Sequence, residues 1–386
     1  MNNSRRAAAF AIAAWLRTKD FPANYLPSGA DRAFVQDLVY TTVRRLRPLR
    51  KVLGELVKTW PKGELEALLY IGAAQILYMK DVPDFAAVNE TVEAAKSCPN
   101  PNVAKVVNGV LRNLLRRRGE LEAVVAASSA DVRESFPGAI WRRWVARYGE
   151  EGAERLAKWH NEPAVTYIAR RDGTFTMLER GERVDSVKGY AEGEFIVQDP
   201  GTALAVSLAA DVAGRSVLDA CAAPGGKSIQ LAWRGAEVTA CEVNPKRRRR
   251  LAENIARMKL DIKVVDAIPC VAADGSNRFD VVLVDAPCSN TGVLRRRPDA
   301  RWNWSEEKLA SLVKLQGEIL DQAAPLVAKG GRLVYSTCSN EPEENGGQVA
   351  SFLARHPGFR LVEERESVPF ETDHDGAFAA ALVREA

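Results

Sequence analysis

At 386 residues, with 46% hydrophobic and 27% charged content, the chain is long enough for about two or three domains and has the composition of an ordinary globular protein. No stretch reaches the ~20 apolar residues of a membrane span, and six scattered cysteines without paired metal-type spacing exclude a disulfide framework or a zinc site, so no metal and a reducing cytoplasm are expected. The net charge of +4 is uneven: residues 1–118 carry 19 Lys+Arg against 10 Asp+Glu, and residues 341–386 carry 4 against 10, so the basic front end points to a polyanionic partner such as nucleic acid.

The chain opens with Ser4-Arg5-Arg6 before the apolar run Ala7–Leu16. Arg17 and Lys19 follow without a small-residue cleavage site, so a helix N-capped by Ser4 is expected rather than an export signal. Helices continue to about residue 118. Arg32–Leu46 places Phe34, Val35, Leu38, Val39, Thr42 and Leu46 on one face, Leu65–Met79 is almost wholly apolar and reads as the central buried helix, and Val103–Leu115 follows. Basic residues gather at Arg44-Arg45, Arg47, Arg50-Lys51 and Arg116-Arg117-Arg118. Asp31–Val35, Ile71–Tyr78, Val88–Val92 and Val107–Arg112 resemble the NusB-type helical RNA-binding domain.

Residues 119–190 change character. Ser135-Phe136-Pro137 and Asn161-Glu162-Pro163 punctuate helical pieces including Trp141–Tyr148, and Val165–Arg170 and Thr174–Glu179 read as strands. A small α+β connecting module is expected, and whether its Arg170-Arg171 pair faces RNA is left open. From 191 onward strands and helices alternate. Val217–Ala220, Val238–Cys241, Ile262–Val265, Phe279–Val284 and Arg332–Tyr335 are the expected parallel strands, Ser305 caps a long helix reaching Val327, and Phe359–Glu363 and Ala377–Val383 close the sheet.

The chemistry gathers after these strands. Gly226-Lys227-Ser228 looks like the end of a phosphate-binding loop, but that motif needs a glycine where this chain has Cys221, and the adjacent Gly225 and Gly226 break the dinucleotide pattern. What remains is a glycine-bearing turn after the first strand and an acid, Glu242, at the end of the second. Such a pair suits a ribose-bearing cofactor without a phosphate, namely S-adenosylmethionine. Two further strand ends carry cysteines, in Asp285-Ala286-Pro287-Cys288-Ser289 and Ser336-Thr337-Cys338-Ser339.

Together, Leu218–Lys227, Asp285–Ser289 with Thr291-Gly292, and Ser336–Ser339 followed by Pro342-Glu343-Glu344-Asn345 resemble the RNA (cytosine-5) methyltransferases of the Nop2/Sun/RsmB type. The NusB-like front end makes the chain similar to the bacterial RsmB/Sun branch, which methylates small-subunit (16S) rRNA. The resemblance implies a multidomain fold: an all-α NusB-like domain over 1–118, the connecting module over 119–190, and an α/β Rossmann-like class I methyltransferase domain over 191–386. It implies Cys338 as nucleophile, Cys288 as the thiol assisting release, and Asp285 holding the polar edge of the base with a proton. Cys221, Ala222, Ala223, Pro224, Gly225, Gly226, Lys227, Glu242, Asp266 and Asp285 are the implied cofactor-binding residues, with Asp274 the alternative to Asp266. The expected partner is small-subunit rRNA, on which a cytoplasmic monomer with no membrane contact acts; the alternatives are the same chemistry on tRNA, or a non-catalytic RNA-binding ribosome-assembly factor.

The remaining expectations are plainer. Cys98, Cys241 and Cys270 are read as packing, as is Cys221 within its loop, and Arg247–Arg250 as a solvated helix face. Arg295-Arg296-Arg297-Pro298-Asp299, with Trp302 beyond, is expected to grip the RNA backbone. Gly346-Gly347 is expected to interrupt the helix after Pro342, and the closing strand is Ala-rich. No histidine lies near either cysteine motif, so what activates the nucleophile is left open.

Overall fold

The computed structural model describes residues 4–29, 31–179, 181–271 and 278–385. They form two compact units, Met1–Glu162 with Arg297–Asn303, and Pro163–Arg296 with Trp304–Ala386.

The first unit is helical: α1 (Ser4–Thr18), α2 (Arg32–Arg44), α3 (Leu46–Gly54), α4 (Glu64–Tyr78), α5 (Asp84–Ala95), α6 (Asn102–Arg116), α7 (Arg118–Ala126), α8 (Ala130–Arg133) and α9 (Gly138–Asn161). Its core gathers the apolar faces of α1–α6, with Ile12, Trp15, Leu38, Leu49, Ile71 and Leu111 all fully buried. Each such leucine contributes about 1.5–3 kcal/mol. α4 is buried on every side from Ala67 to Ile76, which its unbroken apolar sequence requires. Ser4 lies inside α1, and its hydroxyl donates to Asp31 (2.8 Å) instead of capping the helix. Gly149 kinks α9 at φ 71°, a conformation open to glycine.

The returning segment 297–303 corrects the expectation of an RNA-gripping arginine cluster. Arg297 pairs with Asp299 (3.0 Å) and lies over the Phe21 ring, while the Trp302 indole donates to the Val43 carbonyl (2.8 Å). Arg301, fully buried, donates to the Ser135 carbonyl and Asn161 and sits 3.8 Å over Phe136; burial pushes its guanidinium well below its ordinary value. Part of the basic surplus is likewise internal, as Arg47 pairs with Asp131 (2.6 Å).

The second unit opens with a small antiparallel sheet of β1 (Tyr167–Arg170), β2 (Phe175–Met177) and β3 (Phe195–Val197) in the order β2-β1-β3. β3 had no counterpart in the sequence expectations. The stretch 119–190 is thus divided, with α8 and α9 in the first unit and β1 and β2 in the second. Arg170 lies over the Phe195 ring and Arg171 is exposed.

The main sheet has β4 (Ser216–Asp219), β5 (Glu237–Cys241), β6 (Lys263–Val265), β7 (Phe279–Asp285), β8 (Val327–Thr337), β9 (Phe359–Ser367) and β10 (Ala377–Arg384), in the order β6-β5-β4-β7-β8-β10-β9. β4 to β8 run parallel, and β10 lies antiparallel between β8 and β9. Its alanines, Ala379–Ala381, are fully buried there. β7 shows why these strands read as continuous apolar runs: Val281 and Leu283 feed one core layer, Val282 and Val284 the other. Those layers are built by α10 (Ala203–Ser207), α11 (Gly226–Trp233), α12 (Pro245–Arg257), α14 (Glu306–Ala323) and α15 (Gly346–Arg355), while α13 (Ala300–Asn303) belongs to the first unit and α16 (Pro369–Thr372) precedes β10. Ser305 caps α14 by accepting from the Lys308 amide. The Gly346-Gly347 pair begins α15 and does not interrupt it, and a Cβ on Gly347 would lie 2.9 Å from the Pro342 carbonyl oxygen.

Candidate active site

Strand order reverses between β4 and β7, and in an open parallel sheet the crevice beyond the strands' carboxyl ends at such a point receives ligands. The loop after β4 is built for close approach. Gly225 caps α11 at φ 112°, and a Cβ there would lie 2.9 Å from Leu251. The Ala222 amide donates to the Cys241 carbonyl (2.8 Å), and Asn254 of α12 donates to the Pro224 carbonyl (2.9 Å). Ala223 is half-buried and Gly226 lies against the Gln198 carboxamide. Fully buried Asp219 accepts from Ser228 (2.6 Å), tying strand to helix; burial pushes its carboxyl up to about 6. Cys221 is half-buried, and burial followed by the Asp219 and Asp285 carboxylates pushes its thiol up, which suits packing.

Glu242, at the end of β5, is 2% exposed. It accepts from the Asn244 amide (2.8 Å) and from Arg247 (3.0 Å), while Arg248 donates to its carbonyl (3.0 Å). Arg247 and Arg248 therefore brace this acid, while Arg247, Arg249 and Arg250 are exposed, as a solvated helix face requires. Asp266 follows β6 and is exposed, near Glu242 because the Glu242 amide donates to the Val265 carbonyl (3.1 Å). Asp274 lies outside the described residues. Cys241 is buried and pushed up to about 11 by burial and then Glu242; Cys98 is also buried. Cys270 is exposed, in irregular chain after β6, and does not pack as expected.

β7 and β8 pair Asp285 with Ser336, which brings the two cysteine motifs side by side. The Cys288 and Cys338 sulfurs are 3.2 Å apart, with Cys288 buried and Cys338 partly open. The hydrogen bond to Cys338, burial and the Glu344 carboxylate all push the Cys288 thiol well above its ordinary value. Cys338 Sγ also lies 3.4 Å from Asn290 Oδ1. Asp285 accepts from the Lys227 ammonium (2.7 Å) and from Ser336 (2.8 Å), so both of its oxygens are engaged as acceptors. Burial opposes the Lys227 charge, but the Asp285 carboxylate outweighs it and holds the ammonium above lysine's ordinary value.

The clamp around the cysteines uses residues to which sequence reasoning gave no role. Glu344, fully buried, accepts from the Ser289 amide (2.9 Å), the Ser289 hydroxyl and Gln316 (2.9 Å). Gln316 also holds the Pro287 carbonyl (3.0 Å), and Asn345 joins Thr337 (2.6 Å) to the Ser339 carbonyl (2.9 Å). The Pro342–Asn345 motif was the available signal, but its partner Gln316 carries none.

A family model described as 16S rRNA methyltransferase RsmB/F matches residues 206–382, and one described as NusB family matches residues 2–116. The chain is 33% identical over 426 residues to the ribosomal RNA small subunit methyltransferase B of Serratia proteamaculans (strain 568), covering 99% of each chain. It is also 33% identical over 429 residues to the protein of that name from Salmonella arizonae, covering 100% of this chain and 99% of the relative. Among solved structures, PH0851 matches 100% of this chain and 98% of its own, at 23% identity and a TM-score of 0.80. NSun6 from Pyrococcus horikoshii, solved with SFG, matches 66% of this chain and 99% of its own, at 19% identity and a TM-score of 0.56. At these identities the two structures bear on the fold alone.

Proposed function

We propose that this chain, which belongs to the RsmB/F family of 16S rRNA methyltransferases, methylates carbon 5 of a cytosine in small-subunit rRNA through a covalent Cys338–cytosine adduct. S-adenosylmethionine is the cofactor, and when bound it supplies an electrophilic methyl group on a sulfonium. The residues fit such a molecule: a buried carboxylate at Glu242 for ribose hydroxyls, and a buried, unpartnered Gln198 Oε1 beside Gly226. Asp266, Lys227, Asp285 and the loop from Cys221 to Gly226 complete the set assigned to cofactor binding.

The observation that carries the mechanism is the pair of sulfurs 3.2 Å apart with unequal surroundings. Carbon 5 of cytosine is a poor nucleophile while the ring is conjugated. Addition of the Cys338 thiolate at carbon 6 breaks that conjugation and gives an enamine-like ring able to accept the methyl group at carbon 5. Transfer of the carbon 5 proton to solvent then lets the C–H electron pair re-form the carbon 5–carbon 6 double bond as the Cys338–carbon 6 bond breaks, its electron pair returning to sulfur. Cys288, held as a thiol by its surroundings, donates its hydrogen bond to the departing Cys338 sulfur and assists release. Lys227 and Ser336 keep Asp285 oriented toward the polar edge of the base. Carbon 6 is covered in a stacked duplex, so the substrate cytosine is unpaired or flipped.

The test incubates the protein with methyl-labelled cofactor and small-subunit rRNA lacking the modification, then maps the product. Label on carbon 5 of a cytosine is expected. Label entering only tRNA overturns the substrate, and label on any other base atom overturns the chemistry.

A further inference from the structure

The backbone carbonyl of Cys338 accepts from the Gly292 amide (3.1 Å), and the Gly292 carbonyl accepts from the Gly376 amide (2.8 Å). These three backbones are stacked too closely for side chains. A Cβ on Gly292 would lie 2.6 Å from the Gly376 carbonyl oxygen and 2.9 Å from that of Cys338. One on Gly376 would lie 2.7 Å from Gly292 Cα. Gly376 also meets the Asn340 side chain, but each site has a main-chain obstacle that no side-chain shift removes.

One arginine ties together the segments that flank the stack. Arg296 closes the turn that begins at Val293, the residue after Gly292, its amide donating to the Val293 carbonyl (2.9 Å). Its guanidinium then spreads over three segments: Nη2 donates to Asp199 (2.7 Å), Nη1 to the Val165 carbonyl (2.7 Å), and Nε to Asp375. Asp199 and Asp375 are 8% and 3% exposed. Asp199 also accepts from the Asp375 amide (3.1 Å) and the Gly201 amide (2.9 Å), locking the residue that precedes Gly376. The result is a closed ring, Gly292–Arg296–Asp375–Gly376–Gly292, with the Cys338 carbonyl on one edge. A planar fork that meets two carboxylates and a carbonyl at once is a task lysine cannot reproduce.

We propose that Arg296 is a positioning residue: through Asp375, Gly376 and Gly292 it fixes the Cys338 backbone and so the direction in which the Cys338 sulfur meets the base. The inference rests on the assignment of Cys338 as nucleophile. It reassigns an arginine that composition alone would give to RNA binding.

The test compares Arg296→Lys with the wild type in melting temperature, cofactor Kd, kcat and KM for small-subunit rRNA, and iodoacetamide alkylation of Cys338 relative to exposed Cys270. Misplacing a reacting group by about 1 Å costs up to about 100-fold in rate, so a smaller misdirection costs about 10- to 100-fold at most. The expected result is a kcat lowered by that factor, an altered Cys338-to-Cys270 alkylation ratio, and unchanged Kd and KM. An unchanged kcat and ratio overturn the proposal, and a raised KM with unchanged kcat overturns it in favour of RNA binding. Should Arg296→Lys not fold, Asp375→Asn, which keeps the backbone and removes one charge of the ring, is held to the same outcomes. Cys338→Ala runs beside them. If it still transfers methyl groups, the nucleophile assignment fails; if it is inactive while Arg296→Lys keeps its kcat and ratio, only the positioning role fails.

Discussion

Replacing Glu344 tests whether the cysteine pair is held by the clamp beneath it. The carboxylate is fully buried and takes hydrogen bonds from the Ser289 amide, the Ser289 hydroxyl and Gln316. In Glu344→Ala the hydroxyl can turn to Ser339, 3.1 Å away, but the amide and one Gln316 proton lose their acceptor. Each stranded donor costs about 1–3 kcal/mol, a total of roughly 2–6 kcal/mol. For a unit of this size that lowers melting by about 5–20 °C. Glu344→Gln keeps an acceptor oxygen for both donors, so its loss is about 1 kcal/mol. It also removes the negative charge that helps push the Cys288 thiol upward, so Cys288 alkylates faster at mildly alkaline pH. Calorimetry on both variants and mass-mapped alkylation read the two effects separately. If Glu344→Ala melts with the wild type, or Glu344→Gln leaves the Cys288 rate unchanged, the clamp does not hold the pair.

Two further outcomes follow from the cofactor side. Glu242→Gln keeps an acceptor for the Asn244 amide but loses the charge assigned to ribose hydroxyls, so calorimetric cofactor binding weakens about 10- to 100-fold; an unchanged Kd removes Glu242 from that role. Burial raises the Asp219 carboxyl from 3.8 to about 6, so the folded chain binds that proton more tightly than the unfolded one. Its contribution to stability is full below pH ~4 and lost as pH rises to about 6, a swing of about 3 kcal/mol. Asp219→Asn lacks this titration, so denaturation across that range shows the variant gaining on the wild type as pH rises; a constant difference contradicts it.

The main sheet was legible because fully buried parallel strands leave continuous apolar runs, as at Val281–Val284, ended by turn residues. β3 was not, because Phe195–Val197 is three residues long and leaves no period to detect. Arginine was the residue most misread. Arg296 sits in a basic stretch read as gripping RNA, with Arg301 just beyond it, yet their partners Asp199, Asp375, Ser135 and Asn161 lie far away in the chain. Charge pattern along a sequence carries no record of such pairings. The glycine pair at Gly346 failed for another reason: helix propensity penalises interior glycine, whereas these two stand at the helix start. Both cysteines were legible through their motifs. Their contact was not, since a 3.2 Å separation depends on the register of β7 and β8.

In the proposed reaction Cys338 bonds to the base and Cys288 helps break that bond. Cys288→Ala, incubated with the cofactor and unmodified small-subunit rRNA and then denatured, tests it most directly. A protein–RNA species that survives denaturation, with the cytosine attached to Cys338 on peptide mapping, is the predicted result. An attachment at another residue, or release at the wild-type rate with no adduct, contradicts it.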